Sequence, residues 1–236
     1  MIAVVVPAHN EAQRIGRCLS AIRRAAQGVR DRPVEIFVTA DACSDATPEI
    51  ARRHGATVSL LDRRCVGEAR SRSARIAIER GATWIACTDA DSLVPPDWLV
   101  HQVSLDAEVV CGTVCLGRSA ALTREVRQRY DEGYSQRDDH RHVHGANLGF
   151  SASAYVRAGG FDPVRAHEDV LLVERFKALG VSMAWTGKSP VTTSARLRGR
   201  APEGMSVLLA QLVHALPVRS HFEKRAQLAC AELAGL

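Results

Sequence analysis

"TWIACTDADSLVPPDW" (Thr83–Trp98) joins a short apolar run to two aspartates and a Pro-Pro turn. The run Trp84–Cys87 is continuous, as expected of a strand that is buried on both faces of a parallel sheet. Asp89 and Asp91 follow at alternate positions, and alternate side chains of an extended chain point to the same side. Two such carboxylates repel each other unless a positive group lies near them. The stretch therefore predicts a buried strand whose end meets a cation.

The first half of the chain repeats this pattern of short apolar runs followed by longer amphipathic segments. Short connections between such units predict a parallel sheet with helices on both faces. We expect Thr47 to cap a helix with Pro48 in its first turn, and Gly81 to end another helix. Strands are predicted at Ile2–Val6, Val34–Val38, Thr57–Leu61 and Thr83–Thr88, and helices from Glu11 onward, over Thr47–His54 and over Gly67–Arg80.

After the two aspartates the rhythm of the sequence changes. Longer polar segments and less regular connections predict a mixed second half within a single α/β domain. The predicted elements are a strand over Glu108–Cys115, a helix over Ala120–Asp138, a short strand and a short helix within His144–Phe161, a helix over His167–Leu179, strands over Val181–Trp185 and Pro190–Ser194, and a mostly helical segment over Met205–Leu236.

Composition narrows the class of protein. The 236 residues are 46% hydrophobic, which allows a sizeable core, and the formal net charge is +5. No run of five like charges is present, so a nucleic-acid-binding arm is not expected. Seven cysteines without CxxC spacing indicate reduced core residues in a cytoplasmic protein. The N-terminus lacks the basic flank of a signal peptide, and no window approaches the roughly 18 apolar residues of a membrane span.

Acidic side chains follow three of the four predicted parallel strands. Ligands of open α/β sheets bind at the carboxyl ends of the strands, so these side chains are expected to share one rim. No G-x-G-x-x-G turn follows the first strand, where the chain reads "PAHNEA", and no Walker loop is present. An acidic rim suits Mg²⁺ or Mn²⁺, which bind carboxylates, water and substrate phosphates. The predicted rim holds Glu11, Asp41, Asp45, Asp89 and Asp91.

Five motifs carry a resemblance to a known family. Between about Ile2 and Ser194 the chain contains, in this order, "VVVPAHNEAQRIGRCLSAI", "VTADACSDAT", "GEARSRSARIAIERGATWIACTDAD", "GANLGFSASAYVRAGGFDP" and "HEDVLLVERFKALG". Their order and spacing resemble those of family-2 glycosyltransferases of the GT-A fold. The resemblance implies a nucleoside-diphosphate sugar as donor, Mn²⁺ or Mg²⁺ as cofactor, and transfer with inversion at the anomeric carbon.

The resemblance also implies roles for individual residues of the nucleotide-binding half, residues 1–92. Asp91 matches the direct metal ligand of the DxD motif, and Asp89 matches a second ligand nearer the ribose or sugar. Pro7, Ala8 and Glu11 match the motif that lines the nucleoside pocket. Asp41 matches the aspartate that hydrogen-bonds the nucleotide base, and Arg70 matches a position beside the nucleotide.

Residues 93–200 are implied to form the acceptor and catalytic half, followed by a C-terminal helical segment over 201–236. Asp169 of the Glu168–Asp169 pair matches the catalytic base, and Glu168 is placed among the substrate-binding residues. Gly145, Ala146 and Asn147 match the segment that shapes the donor-sugar and acceptor pocket.

The chain departs from the family's pattern after the second strand. Many members carry two adjacent aspartates followed by Gly-Ser, whereas this chain has Ala40, Asp41, Ala42 and Cys43. Because one carboxylate is missing, the identity of the nucleotide base and the contacts to the ribose stay open. Ser71 and Ser73 stand where the family often has Asn and Gly, while the DxD motif is intact.

Several of these residues also have purely structural interpretations. Asp89 and Asp91 can be solvated loop caps, and Asp41 can cap a turn through its side chain. Glu168 and Asp169 begin a predicted helix, where the helix dipole favours acidic side chains in any protein.

Three further groups of side chains stay open. His140, His142 and His144 alternate as in a zinc site, but a third and fourth ligand are not evident, and His144 at the acceptor pocket is the alternative. The loop with Arg196, Arg198 and Arg200 either clamps a diphosphate or is simply solvated. Nothing in the spacing selects His214 or His221 as a further metal contact. The apolar face of the C-terminal segment favours core or a homodimer surface over a membrane anchor.

These observations lead to three hypotheses of function. The first is a metal-dependent glycosyltransferase that uses a UDP- or GDP-sugar and an unidentified hydroxyl acceptor. The second is a sugar nucleotidyltransferase, although "PAHNEAQR" lacks the Gly-rich loop that such enzymes need after the first strand. The third is a non-catalytic relative that binds nucleotide sugars.

Overall fold

The apolar runs of the sequence form the strands of one sheet. A computed structural model of the protein describes residues 1–120, 122–197, 199 and 205–214. Within these residues the strands are β1 (Ile2–Ala8), β2 (Val34–Asp41), β3 (Thr57–Leu61), β4 (Trp84–Cys87), β5 (Val109–Leu116), β6 (Leu148–Ser151) and β7 (Met183–Thr193). Their order in the sheet is β3-β2-β1-β4-β6-β5-β7.

Helices cover the sheet between these strands, as the alternating pattern predicts. Gly81 follows the third helix with φ of 88°, a conformation that suits glycine and confirms its predicted role at the helix end. The helices are α1 (Ile15–Ala26), α2 (Thr47–Arg53), α3 (Val66–Glu79), α4 (Trp98–Ser104), α5 (Arg124–Glu132), α6 (Ala152–Arg157), α7 (Glu168–Ala178) and α8 (Met205–His214).

The sheet has a parallel part and a mixed part, which confirms the predicted fold class. Strands β1 to β4 are all parallel, with Val5 of β1 paired to Phe37 of β2 and Cys87 of β4. Strand β6 runs antiparallel between β4 and β5, and β7 is parallel to β5. Because β6 is reversed, the 3₁₀ turn Gly145–Asn147 before it lies at the same edge as the carboxyl end of β4.

Both faces of the sheet are buried. Val4 and Val6 of β1 belong to a core cluster with Ile22 of α1, whereas Val5 between them packs in a second cluster with Leu172 of α7. All five side chains are fully buried. Burying an aliphatic side chain of this size contributes about 1.5–3 kcal/mol relative to leaving it exposed. The continuous apolar runs are therefore explained by helices on both sides.

The prediction of two strands over Val181–Trp185 and Pro190–Ser194 is wrong. The chain instead forms the single strand β7 beside β5, and the pairing shifts between Gly112 and Val114. A bulge of this kind accommodates Pro190, which has no N–H to donate to a regular ladder.

The helix predicted from Glu11 onward begins at Ile15 in α1, and two further helix starts also differ from the prediction. Thr47 does not cap α2, because its hydroxyl accepts a hydrogen bond from the amide of Glu11 at 2.8 Å. The helix predicted over Ala120–Asp138 begins at Arg124 in α5, where the Thr123 hydroxyl accepts from the amide of Val126. Side-chain hydrogen bonds decide both starts.

The C-terminal segment, residues 205–236, is described only over α8. Leu209 of α8 is fully buried and packs in a cluster with Val126 and Tyr130 of α5, so this part of the segment is core. Residues 215–236, with His221 and Cys230, lie outside the described residues, and a homodimer stays a prediction. None of the described helices has the length and apolar character needed to cross a membrane. The six described cysteines are free thiols, as predicted.

Candidate active site

The carboxyl edge of the parallel strands gathers the acidic side chains. Asp89 and Asp91 follow the end of β4, and Glu11 follows the end of β1. Glu168 and Asp169 form the first turn of α7. Two networks hold these five carboxylates, which come from both halves of the chain: Arg70 and Gly145 connect Asp89, Glu168 and Asp169, and Arg196 connects Glu11 and Asp91.

Arg70 of α3 connects the two halves of this site. Its Nε donates to Glu168 Oε1 at 2.9 Å, and its Nη2 donates to Asp89 Oδ1 at 2.6 Å. Its Nη1 donates to the carbonyl oxygen of Gly145 at 3.0 Å. Arg70 is 2% exposed, and burial alone would lower its pKa. The carboxylates of Asp89 and Glu168 outweigh burial and raise that pKa, so the guanidinium is charged and fully engaged with protein.

Gly145 lies between Arg70 and Asp169. A Cβ atom at this position would stand 2.4 Å from Nη2 of Arg70, which is closer than van der Waals contact allows. The Gly145 amide donates to Asp169 Oδ2 at 2.6 Å. Only glycine permits this close approach, and its peptide groups thereby link the buried arginine to the predicted base.

The two acidic residues of α7 have different environments. Glu168 is buried, and burial raises the pKa of its carboxyl while Arg70 opposes that rise. Asp169 is half-buried, and its Oδ1 accepts from the amide of Val170 at 2.8 Å. Amide donors and the start of a helix both stabilise a carboxylate. Two amide donors thus hold the Asp169 side chain in place, and part of its surface stays open to solvent.

Glu11 and Asp91 share a second arginine. Arg196 Nη1 donates to Glu11 Oε1 at 2.6 Å, and Arg196 Nη2 lies 3.1 Å from Asp91 Oδ2. Burial and the nearby charge of Asp89 raise the pKa of Asp91 to about 6, although Arg196 opposes this rise. Asp91 therefore lies beside other carboxylates in a poorly hydrated place, whereas the side chain of Asp89 is 37% exposed.

Asp41 has a demanding structural role. Its Oδ1 accepts from the amides of Arg63 and Arg64 at 2.7 and 3.0 Å, and its Oδ2 accepts from the amide of Cys65 at 2.7 Å. The side chain thus holds the connection between β3 and α3, whereas the structural interpretation placed it on the turn directly after β2. Contact of Asp41 with the base of the nucleotide stays a prediction.

Asn147 is also engaged by the protein. Its Oδ1 accepts from Trp98 Nε1 at 2.8 Å, and its Nδ2 donates to the carbonyl of Thr113 at 2.8 Å. Asn147 is 2% exposed, and it packs so closely that a Cβ on Gly112 would meet it at 2.3 Å. These contacts fix the turn that carries Gly145 and Ala146, and the substrate-binding role of Asn147 stays a prediction.

Pro7 and Ala8 end β1 beside Thr39 and Ala40 of β2, at the position predicted for the nucleoside pocket. The sequence after β2, which departs from the family's pattern, also has an unusual backbone conformation. Ala42, which stands where the resemblance implies a glycine, has φ of 48°, a left-handed conformation that side chains disfavour.

The three histidines do not form a metal site. Among the described residues, no group of three or more His, Cys, Asp or Glu side chains is arranged to hold a metal ion. His142 stacks on Tyr134 with ring centroids 4.1 Å apart, and His144 Nε2 lies 2.8 Å from the Tyr134 hydroxyl. Burial and the neighbouring histidines lower the pKa of His144 to about 4. His140 is buried, with Nε2 3.3 Å from the carbonyl of Thr186.

Sequence reasoning missed Tyr134 and Arg14 and left Arg196 open. Tyr134 also accepts a hydrogen bond from the amide of Val114 at 3.0 Å, and an aromatic residue within the polar run "DEGYSQRDD" was the available signal. Arg14 lies 3.6 Å from Glu11, three residues along the chain, a spacing that brings side chains together. Arg198 and Arg200 of the same predicted loop lie outside the described residues.

The residues present fit the divalent cation that the resemblance implies. Mg²⁺ and Mn²⁺ bound with a nucleotide need one or two carboxylates, because phosphate and water oxygens complete the coordination. Asp91 and Asp89 supply that number. Burial first, and the charge of Asp89 second, raise the pKa of Asp91, and a bound cation would favour its charged form.

Comparison with known proteins gives the family. The sequence model of "Glycosyl transferase family 2" matches residues 3–155, which is well over half of the chain. The chain belongs to glycosyl transferase family 2. The predicted recognition is confirmed. No curated protein matches the chain in sequence.

Solved structures of glycosyltransferases share the fold of this family-2 chain. S. aureus TarS 1–349 in complex with UDP-GlcNAc is 13% identical, with a TM-score of 0.64 over 92% of this chain and 68% of that one. The mannosyltransferase PcManGT from Pyrobaculum calidifontis in complex with GDP-Man and Mn²⁺ is 21% identical, with a TM-score of 0.61 over 84% of this chain and 58% of that one. The chain spans 60% of the TarS structure solved with UDP, so these relatives are considerably longer. The GT-A fold is confirmed.

Proposed function

We propose that this chain transfers a sugar from a UDP- or GDP-sugar to an acceptor hydroxyl, with inversion at the anomeric carbon. The observation that carries the proposal is the buried Arg70, which joins Asp89 of the DxD motif to Glu168 of the acidic pair. The pocket for the donor would be formed by residues 1–92 and that for the acceptor by residues 93–200. The structures of relatives with UDP-GlcNAc and with GDP-Man and Mn²⁺ support this choice of donors.

In this proposal Asp91 and Asp89 hold the divalent cation together with the donor diphosphate. The cation, when bound, offsets the charge that develops on the leaving nucleoside diphosphate. Asp169 takes the proton of the acceptor hydroxyl as that oxygen attacks the anomeric carbon. The Gly145 amide holds Asp169 Oδ2 in place during this transfer. Attack from the side opposite the leaving group inverts the anomeric centre.

The thermal stability of the full chain tests the donor and metal assignments. UDP, GDP, CDP, dTDP and ADP are each added with Mn²⁺, with Mg²⁺ and with EDTA. A ligand at 100 times its dissociation constant adds about 2.7 kcal/mol to the free energy of unfolding, which a shift of Tm reports clearly. We expect UDP or GDP to stabilise the protein only with a divalent cation. Stabilisation by neither nucleotide would contradict the proposal.

Asp91→Asn tests the metal ligand in the same assay. The substitution should abolish the metal-dependent part of the nucleotide shift, because the amide replaces a charged oxygen ligand. Asp97→Asn changes an exposed carboxylate six residues further on and serves as the matched control. Equal shifts in Asp91→Asn and the parent would contradict the assignment.

Membership of the glycosyltransferase family favours transfer over nucleotidyl transfer. Release of diphosphate from a nucleoside triphosphate and a sugar phosphate would revive the second hypothesis. Tight nucleotide binding without donor hydrolysis, even at high protein concentration, would favour the non-catalytic one. The cytoplasmic location stays a prediction.

A further inference from the structure

Arg196 occupies the place between Glu11 and Asp91. Its two terminal nitrogens lie 2.6 Å from Glu11 Oε1 and 3.1 Å from Asp91 Oδ2. The side chain of Arg196 is 21% exposed, and those of Glu11 and Asp91 are 4% and 12% exposed. Among the described residues, Arg196 is the only basic side chain within ion-pair distance of Asp91.

The residues directly before and after Arg196 pack against the protein. Ala195 is buried, and Leu197 packs against the cluster formed by α5 and α8. Three residues before Ala195, the amide of Thr192 donates to the carbonyl of Leu93, two residues after Asp91. The end of β7 therefore holds Arg196 beside the DxD motif, so the ion pair is built into the fold.

Charge explains why an arginine is held there. Glu11, Asp89 and Asp91 crowd one rim, and Arg70 already serves Asp89 and Glu168. Without Arg196, Asp91 would be a largely buried carboxylate beside other anions, which is unfavourable. A divalent cation on Asp91 would meet the guanidinium on the same carboxylate, and two cations at one carboxylate repel each other.

We propose that Arg196 is the counter-cation of Asp91 in the metal-free enzyme and that a divalent cation displaces it. The freed guanidinium then binds the diphosphate of the donor, since arginine pairs well with phosphate oxygens. This inference rests on the proposed function, in which Asp91 is a metal ligand. It makes the metal and the nucleotide cooperative, because each one favours the released position of Arg196.

Binding of Mn²⁺ alone to the full chain tests the displacement, with the electron paramagnetic resonance signal of free Mn²⁺ as the readout. Arg196→Ala should bind Mn²⁺ about tenfold more tightly than the parent, since the metal no longer breaks a charged hydrogen bond. Arg14→Ala is the matched control, because Arg14 lies 3.6 Å from Glu11 in the same rim and carries the same charge. It should tighten Mn²⁺ binding much less.

The nucleotide supplies the second arm of the test. In the parent, UDP or GDP should tighten Mn²⁺ binding, and in Arg196→Ala this enhancement should shrink, because displacement of the arginine no longer links the two ligands. Equal Mn²⁺ affinity in Arg196→Ala and Arg14→Ala would overturn the inference. If Arg196→Ala does not fold, Arg196→Lys replaces it, since lysine keeps the charge but cannot bridge both carboxylates. Arg196→Lys should then bind Mn²⁺ more tightly than the parent, and an affinity equal to that of the parent would overturn the displacement.

Asp91→Asn separates a failure of this inference from a failure of the proposed function. Loss of Mn²⁺ binding in Asp91→Asn, with no gain in Arg196→Ala, would overturn only the displacement. Unchanged Mn²⁺ binding in Asp91→Asn would overturn the metal assignment and the displacement together.

Discussion

The two halves of the sheet reach the active-site rim in opposite ways. In the parallel half, the chain leaves each strand at the rim, and Glu11 and Asp91 follow the ends of β1 and β4. In the mixed half, Gly145 reaches the rim before β6 begins, and Asp169 reaches it at the start of α7. The first half thus presents carboxylates suited to bind a cation, which in turn can bind a diphosphate. The second half presents a carboxylate suited to accept a proton.

The comparison shows that the two halves depend on one buried side chain. Arg70 belongs to the parallel half, yet two of its three hydrogen-bond partners, Glu168 and Gly145, belong to the mixed half. A buried guanidinium with paired carboxylates is costly to break, because removal of one partner leaves the others charged and dehydrated. Substitution of Arg70 should therefore destabilise the protein more than substitutions within either half alone.

Of the three substitutions considered, Arg70→Ala should have the largest effect, because Arg70 connects the two halves. It leaves Glu168 buried without its partner, so we expect the free energy of unfolding to fall by about 3–5 kcal/mol. Urea denaturation measures the change. Arg75→Ala on the same helix removes an exposed arginine paired with Glu79 at 2.7 Å and should cost less than about 0.5 kcal/mol. Similar losses in the two variants would contradict the bridging role of Arg70.

Asp169→Asn should affect the second half alone. Asparagine keeps an oxygen acceptor for the Gly145 amide but cannot take a proton, so turnover should fall by at least about 10²-fold while donor binding is kept. Steady-state transfer and nucleotide binding are measured on the same preparation. Glu174→Gln changes an exposed carboxylate on the same helix and controls for lost charge. Turnover near the parental rate in Asp169→Asn would place the base elsewhere.

Ala42→Gly should have the smallest effect and concerns the first half alone. Ala42 has φ of 48°, so glycine relieves backbone strain and should raise the free energy of unfolding by up to about 1 kcal/mol. Ala56→Gly, at a residue without positive φ, should lower it instead. A loss of stability in Ala42→Gly would show that packing, not backbone conformation, selects alanine.

The parallel half could be predicted from the sequence because its signals are local. Continuous apolar runs, a glycine after α3 and acidic residues at strand ends specify strands, helix ends and a rim within short windows. The predicted strand at Thr57–Leu61 matches β3 at both ends. Asp41 shows the limit of local reading, because its amide donors lie 22 to 24 residues further along the chain.

The mixed half could be predicted only in outline because its decisive contacts are distant in sequence. Arg70 and Glu168 are 98 residues apart, and Arg196 and Glu11 are 185 residues apart. The bulge that turns two predicted strands into β7 depends on the pairing with β5, which no short window contains. The resemblance to family 2 supplied Asp169, but the arrangement that holds it had to be seen in the structure.

The reversed strand β6 affects how this fold can diverge. Strand β5 ends at the rim and β6 begins there, so the chain between Leu116 and Gly145 leaves and returns to the same edge of the sheet. Lengthening such an excursion costs little closure entropy, about 0.6 kcal/mol for each doubling. Evolution can therefore rebuild this wall of the candidate site while the parallel strands stay unaltered.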